Sequence, residues 1–279
     1  MSYAAEISRT QPACVLLLVD QSGSMAEPFA GMPDRKKCDG VADAVNRLLQ
    51  NLVLKCAKAD GVRDYFHVGV IGYGAKVRSA FGKAIPDDVL APISRIADHP
   101  KRVETRTRLA DDGAGGVLEQ NVKFPVWFDP AAAGKTAMSA AFDAAEDVIA
   151  NFIVANPDSY PPMVLNLTDG KPTDANPLAC ARRIQQLATS DGNALVFNLL
   201  LSTDPKPPMY FLHDEELLLD KYAKLLFRMS SELPPKLRAA AKADGFPLEA
   251  GARGVVFNAD LVAVVRFLDI GTRIATSYR

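Results

Sequence analysis

The chain has few of the residues that build zinc sites and redox motifs. Its 279 residues include four cysteines and three histidines, and no two cysteines stand in a CxxC spacing. A zinc site or a thiol redox motif is therefore not expected. Cys14, Cys38, Cys56 and Cys180 are instead predicted to be reduced, buried thiols of a cytoplasmic protein.

The sequence also lacks an excess of charge and long apolar segments. Lys and Arg number 32 against 33 Asp and Glu, a balance that argues against a domain that coats nucleic acid or an anionic membrane. No stretch reaches the roughly 18 apolar residues of a transmembrane helix. The apolar run at residues 15–19 is shorter than the roughly 7–15 residues of a signal-peptide core. We therefore expect a cytoplasmic protein without nucleic-acid or membrane partners.

Apolar runs are the clearest feature that is present, and hydrophobic residues make up 48% of the chain. Such runs are typical of strands that helices cover on both faces, as in a parallel sheet. Amphipathic stretches with helical spacing lie between them. The runs fall at residues 14–19, 67–73, 163–167 and 194–201, and the amphipathic stretches at residues 41–56, 137–155, 176–189 and 260–274.

This alternation predicts an α/β fold of the Rossmann-like, doubly wound type, with a mostly parallel sheet and helices on both faces. We expect a single domain over residues 1–279, with a short N-terminal extension at residues 1–11. Two insertions interrupt it: a β-hairpin within residues 98–130, around a Gly-rich turn, and an irregular loop at residues 202–214. Further predicted elements are a strand at residues 77–85, a helix at residues 215–229 and a short strand at residues 255–258.

Oxygen-bearing side chains follow the predicted strands. Asp20, Ser22 and Ser24 come directly after the first apolar run, and Asp169 follows the run at residues 163–167. Thr136 stands at the head of the helix predicted between them. In sheets of this class, ligands bind beyond the carboxyl ends of the strands. Carboxylates and hydroxyls gathered there favour a hard cation, namely Mg²⁺, Mn²⁺ or Ca²⁺.

This pattern resembles the von Willebrand factor A domain, a family whose metal ion-dependent adhesion site uses a DxSxS sequence, a later Thr and a TDG sequence. Here the DxSxS sequence begins at Asp20, and the TDG sequence contains Asp169. The resemblance implies that Ser22 and Ser24 bind the metal through their hydroxyls. It also implies that Thr136 and Asp169 bind directly or through water, and that Asp20 supports the site without touching the metal.

The same resemblance implies a function. A site with mostly neutral ligands leaves a coordination position that an Asp or Glu from a protein partner fills. Stand-alone intracellular bacterial members of the family act beside kinases and phosphatases, or beside AAA+ ATPases, in signalling and stress-response systems. We therefore expect a cytoplasmic, Mg²⁺-dependent protein-binding adaptor that is not an enzyme.

Two alternatives stay open at this point. Residues 129–136 match the Walker A pattern of nucleotide-binding proteins, except that Asp129 replaces the first Gly and Pro130 removes an N–H donor. Asp20 is also a candidate nucleophile of a Mg²⁺-dependent phosphatase like the haloacid dehalogenases. Those enzymes carry a second Asp where this chain has Ser22, and hydrolysis needs a general base that the sequence does not reveal.

Two expectations concern the surroundings of the site. The basic run at residues 34–37 is expected to be a solvated loop, close enough to the metal to attract an acidic partner. The two insertions are expected to border the metal and to determine which partner binds.

Overall fold

The computed structural model describes residues 3–271, except for residues 30, 83–84, 86–88, 112–116 and 204–205. The strands are β1 (Ala13–Asp20), β2 (Pro28–Phe29), β3 (Met32–Lys36), β4 (Ala57–Lys58), β5 (Gly61–Val62), β6 (Phe66–Tyr73), β7 (Val77–Ser79), β8 (Leu90–Pro92), β9 (Arg102–Asp111), β10 (Val117–Val126), β11 (Met163–Thr168), β12 (Ala188–Thr189), β13 (Gly192–Asn193), β14 (Leu195–Leu201), β15 (Met209–Tyr210) and β16 (Val255–Ala259). The helices are α1 (Lys37–Cys56), α2 (Ile93–Asp98), α3 (Met138–Ala155), α4 (Leu178–Gln186), α5 (Lys221–Met229), α6 (Pro235–Ala243) and α7 (Leu261–Gly271).

The principal sheet has eight strands in the order β15-β16-β14-β11-β1-β6-β7, with β8 also paired to β6. Strands β16, β14, β11, β1 and β6 run parallel to their neighbours in this series. Strands β15, β7 and β8 are antiparallel additions at the edges. The predicted α/β class with a mostly parallel, doubly wound sheet is therefore confirmed.

Helices cover both faces of this sheet. Successive side chains of a strand point to opposite faces, so each central strand contributes apolar residues to both layers. All eight residues of β1 are buried. Val15 and Leu17 join the apolar cluster formed with α1 and α7. Leu16 and Leu18 join the cluster formed with α3, α4 and α5. None of the described helices combines the length and the apolar character that crossing a membrane requires.

The helix predicted over residues 215–229 is interrupted, so this prediction was wrong. A short 3-10 helix occupies Glu215–Leu217, and α5 begins anew at Lys221. Asp220 causes the restart, because its carboxylate accepts hydrogen bonds from the N–H groups of Tyr222 and Ala223 at 2.8 Å. This is a helix N-cap, which Asp favours.

Other predicted bounds need correction. The strand expected at residues 77–85 is only three residues long, the helix expected at residues 176–189 ends at Gln186, and the loop at residues 202–214 contains strand β15. The edge strand β15 has only two residues, too few for alternation to mark it in the sequence. Part of the helix predicted to end at residue 274 lies outside the described residues.

The predicted hairpin insertion is present as the antiparallel pair β9 and β10, and its Gly-rich centre lies outside the described residues. Strand β10 of this hairpin packs along α1. The side chain of Asn46 in α1 accepts from Trp127 N at 2.8 Å and donates to Phe128 O at 3.0 Å. The guanidinium of Arg106 stacks 3.7 Å from the ring centroid of Phe124. Asn46 therefore fixes the base of the hairpin against the domain.

A buried chain of hydrogen bonds crosses the sheet beneath the candidate site. Tyr73 Oη donates to Asn166 Oδ1 at 2.7 Å, and Asn166 Nδ2 donates to Asn198 Oδ1 at 2.9 Å. Asn198 Nδ2 donates in turn to Ser230 Oγ at 2.9 Å. Burial, reinforced by the charge of Asp20, holds the pKa of Tyr73 well above its usual range. One polar side chain from each of β6, β11 and β14, together with Ser230 at the end of α5, thus forms a connected buried network.

The four cysteines are free and buried, as predicted. Burial raises the pKa of Cys56 to about 11, and burial raises the pKa of Cys14 further. These thiols are therefore protonated at neutral pH and pack as small apolar groups.

Candidate metal-binding site

Three loops meet at the carboxyl edge of the sheet: those that follow β1 and β11, and the one that precedes α3. Backbone hydrogen bonds join them. Ala133 N donates to Gln21 O at 2.7 Å, and Thr173 N donates to Thr136 O at 2.9 Å. The parallel arrangement of β1 and β11 brings the loops to one edge, and these bonds hold the middle loop between the other two.

Gly134 allows the close approach of the middle loop. Its φ is +87°, and a Cβ at this position would lie 2.4 Å from Ala75 N. Its carbonyl accepts from Gly23 N at 3.1 Å. No side chain fits in this conformation and space, so the Gly sets the position of the following Thr136.

Asp20 is fully buried and organises the first loop. Its Oδ1 accepts from Ser22 N at 2.8 Å, and its Oδ2 accepts from the Thr168 hydroxyl at 2.7 Å. Burial raises the pKa of Asp20 to about 6, the hydrogen bonds from Ser22 and Thr168 oppose the shift, and the charge of Asp169 adds to it. Both carboxylate oxygens engage protein donors, a geometry that fits a supporting role.

Ser22, Ser24 and Asp169 form a row of oxygen atoms. The Oγ atoms of Ser22 and Ser24 are 3.2 Å apart, and Ser24 Oγ donates to Asp169 Oδ1 at 2.8 Å. Neighbouring ligands of an octahedral Mg²⁺ with bonds of about 2.1 Å lie about 3.0 Å apart. The spacing of these oxygens therefore fits adjacent ligands of such an ion.

Thr136 reaches the same edge through its backbone. Its carbonyl accepts from the hydroxyl of Thr173 at 3.1 Å in addition to the backbone bond described above. Within the described chain, no side-chain hydrogen bond joins Thr136 to Ser22, Ser24 or Asp169. Four of the five predicted residues are therefore linked by direct hydrogen bonds, and Thr136 is placed near them by its loop.

Lys37 is the residue that the sequence analysis missed. Its Nζ lies 2.6 Å from Asp169 Oδ2 and 3.1 Å from Glu27 Oε2. The prediction of a solvated loop at residues 34–37 was wrong, because residues 34–36 belong to strand β3 and Lys37 begins α1. The side chains of Lys37 and Asp169 are moreover only 3% and 0% exposed. One signal was available. Lys37 is the first residue of α1, where the helix dipole disfavours a cation unless an acidic group compensates it.

The candidate site offers a cation few charged ligands. Among the described residues, no group of three or more His, Cys, Asp and Glu side chains could hold a metal ion. A cation at this edge would therefore depend on the hydroxyls of Ser22 and Ser24 together with Asp169. Hydroxyl and carboxylate oxygens suit hard cations rather than zinc or copper.

The Walker-like segment has other contacts. Asp129 pairs with Lys101 and Arg102, and Lys135 is exposed. In a phosphate-binding loop the backbone N–H groups point at the phosphates. Here the N–H of Ala133 already donates to Gln21 O, so this group is not directed at a phosphate.

The insertions differ in their distance from the candidate site. Gln21, beside Ser22, lines an open cavity of about 740 Å³ together with Arg78, Lys101 and Asp129. Lys101 and Asp129 belong to the first insertion, which therefore reaches the surroundings of the site. Strand β15 of the second insertion lies at the edge of the sheet, four strands away from β1.

No protein-family model matches the sequence, and no curated protein matches it. Among solved structures, the chain is similar to a von Willebrand factor type A protein from Catenulispora acidiphila, with a TM-score of 0.48 and 16% identity over 95% of this chain and 43% of that one. It is similar to the PilB minor pilin from Streptococcus sanguinis, with a TM-score of 0.43 and 11% identity over 95% of this chain and 61% of that one. It is similar to BatB from Bacteroides thetaiotaomicron, with a TM-score of 0.39 and 12% identity over 67% of this chain and 66% of that one. The chain thus spans less than two thirds of each of these proteins. At such scores and identities, the function has to be inferred from the residues of the site itself.

Proposed function

We propose that this protein is a metal-dependent protein-binding module of the von Willebrand factor A type. The observation that carries the proposal is the row of Ser22, Ser24 and Asp169 oxygens, 3.2 and 2.8 Å apart, at the carboxyl edge of a parallel sheet. Ser22 and Ser24 would hold Mg²⁺ through their hydroxyls, with Mn²⁺ or Ca²⁺ as alternatives. Thr136 and Asp169 would bind it directly or through water, and Asp20 would support Ser22.

The partner is proposed to be a protein that presents an Asp or Glu. A bound divalent cation would supply positive charge that a partner's carboxylate complements, because few of its own ligands are charged. The loops around the site carry Lys76, Lys135 and Lys171, all exposed, and none of the three forms an ion pair within the described chain. Exposed charges of one sign accelerate encounter with a partner of the opposite sign.

Binding rather than catalysis is proposed for this site. A phosphatase that used Asp20 as its nucleophile would need a free carboxylate oxygen, whereas both oxygens of Asp20 accept hydrogen bonds from Ser22 and Thr168. The position two residues after Asp20, where haloacid dehalogenases carry a second Asp, is Ser22. The buried, free cysteines are compatible with a reducing cytoplasm. By family resemblance, the proposal extends to an intracellular bacterial adaptor with kinase, phosphatase or AAA+ ATPase partners.

Calorimetric titration with MgCl₂ and MnCl₂ tests the metal dependence. The wild-type protein should bind one divalent cation per chain, and Ser22→Ala combined with Ser24→Ala should abolish the heat of binding. Ser190→Ala is a matched control, because Ser190 is exposed and bonds Asp158 away from the site. Equal binding by the double variant and the control would contradict the proposal.

The dependence of partner binding on the metal is tested by affinity capture from the cells that make the protein. Partners should be retained in Mg²⁺ by the wild type and by Ser190→Ala, and lost both in EDTA and with the double variant. A partner that the double variant retains in EDTA would contradict metal-dependent recognition.

A further inference from the structure

An internal cation already lies at the carboxylate of the candidate metal site. Lys37 Nζ is 2.6 Å from Asp169 Oδ2, while the other oxygen of Asp169 accepts from Ser24 at 2.8 Å. The side chains of Lys37 and Asp169 are 3% and 0% exposed. A buried carboxylate needs a compensating charge or donors, and in this state the ammonium of Lys37 supplies that charge.

The backbone around Lys37 is fixed, whereas its ammonium has a second place to go. Lys37 N donates to Glu27 O at 2.9 Å, which anchors the start of α1 beside the site loop. The ammonium is also 3.1 Å from Glu27 Oε2, whose side chain is 58% exposed. A small rotation of the flexible lysine stem would therefore keep one carboxylate partner while leaving Asp169.

A divalent cation and the ammonium of Lys37 repel each other when both lie beside Asp169. The repulsion is strong because the carboxylate is buried, where charges are screened less than in water. Metal binding to Ser22, Ser24 and Asp169 is thus coupled to the position of Lys37.

We propose that Lys37 is a tethered competitor for the metal, which sets the affinity of the site and is displaced from Asp169 toward Glu27 when a divalent cation binds. This proposal rests on the proposed metal-dependent function. As a consequence, the site binds a divalent cation less tightly and fills only at the higher concentrations of a metal such as Mg²⁺. When the metal is absent, the ammonium of Lys37 compensates the buried charge of Asp169.

The test is calorimetric titration of Lys37→Met with MgCl₂ and MnCl₂, beside thermal unfolding in EDTA. Methionine keeps the unbranched stem and removes the charge. The variant should bind the metal at least about tenfold more tightly than the wild type, yet unfold at a lower temperature in EDTA, because Asp169 has lost its cation. Lys36→Met is the matched control, since Lys36 is the exposed neighbour, and it should change neither quantity.

The outcomes separate the two proposals. If the wild type binds metal and Lys37→Met binds it equally or more weakly, the role of Lys37 is refuted while the metal-dependent function stands. If neither protein binds metal, both proposals fail. If only Lys37→Met binds, competition by Lys37 is supported and metal dependence of the native protein is refuted. Lys37→Gln provides the same comparison if the methionine variant does not fold.

Discussion

Replacing Asn166 by alanine should destabilise the protein strongly, although Asn166 does not reach the surface. The side chain is fully buried in β11, where it accepts from Tyr73 Oη and donates to Asn198 Oδ1, and its Nδ2 also lies 4.0 Å from Met138 Sδ. Leaving a buried polar group unsatisfied costs about 1–3 kcal/mol, and the substitution leaves two such groups, Tyr73 Oη and Asn198 Oδ1. The expected loss in the free energy of unfolding is therefore about 2–6 kcal/mol.

Urea unfolding followed by circular dichroism measures this loss. Asn151→Ala in α3 is the control, because Asn151 is exposed and its replacement should change stability by less than about 0.5 kcal/mol. Combining Asn166→Ala with Tyr73→Phe removes the hydroxyl that the first change leaves without its acceptor. The loss in the free energy of unfolding of the double variant should therefore be smaller than the sum of the two single losses by about 1–2 kcal/mol. A loss below about 1 kcal/mol for Asn166→Ala, or strict additivity with Tyr73→Phe, would refute the buried network.

Two further predictions concern a loop and a titrating side chain. Gly134→Ala should destabilise the protein by about 2 kcal/mol or more and weaken metal binding, because the residue has positive φ and its new Cβ would meet Ala75 N. Gly170→Ala, whose Cβ would meet nothing within 4 Å, should be tolerated; equal losses in urea unfolding would refute the steric argument. Burial lowers the pKa of His67, against the opposing charge of Asp64. The imidazole therefore has a higher pKa in the unfolded chain than in the folded protein, and the unfolded chain takes up the proton first as the pH falls. Stability should consequently fall as pH drops below about 6.5 and level off below the folded pKa. His67→Gln should flatten this part of the dependence of stability on pH, and an unchanged profile would refute the assignment to His67.

Features that depend on local pattern were predictable from the sequence. The unbroken apolar run of β1 placed it in the centre of a covered sheet, where all of its residues are buried. The carboxyl ends of parallel strands meet at one edge, so the joining of Ser24 to Asp169, 145 positions apart, followed from the strand assignment. Ser22 and Asp20 are linked in the same cluster through the Ser22 N–H.

Features that depend on distant partners were not predictable in this way. Lys37 reads as part of a basic run until α1 places it beside Asp169, 132 positions away. Asn166 and Asn198 read as polar interruptions of apolar strands, and only the sheet shows that they satisfy each other. Asp220 lies within an apparently continuous helical pattern, and its side chain starts a new helix there.

Anomalous X-ray diffraction from crystals of the protein grown with MnCl₂ tests the central claim most directly, because it locates the ion without relying on a partner. A manganese peak is predicted within about 2.5 Å of the Oγ atoms of Ser22 and Ser24, beside Asp169 and Thr136. The ammonium of Lys37 should then lie nearer to Glu27 than to Asp169. A manganese peak elsewhere in the protein would contradict a metal-dependent binding module. The same holds if, at saturating metal, no manganese lies at this edge and Lys37 is still paired with Asp169.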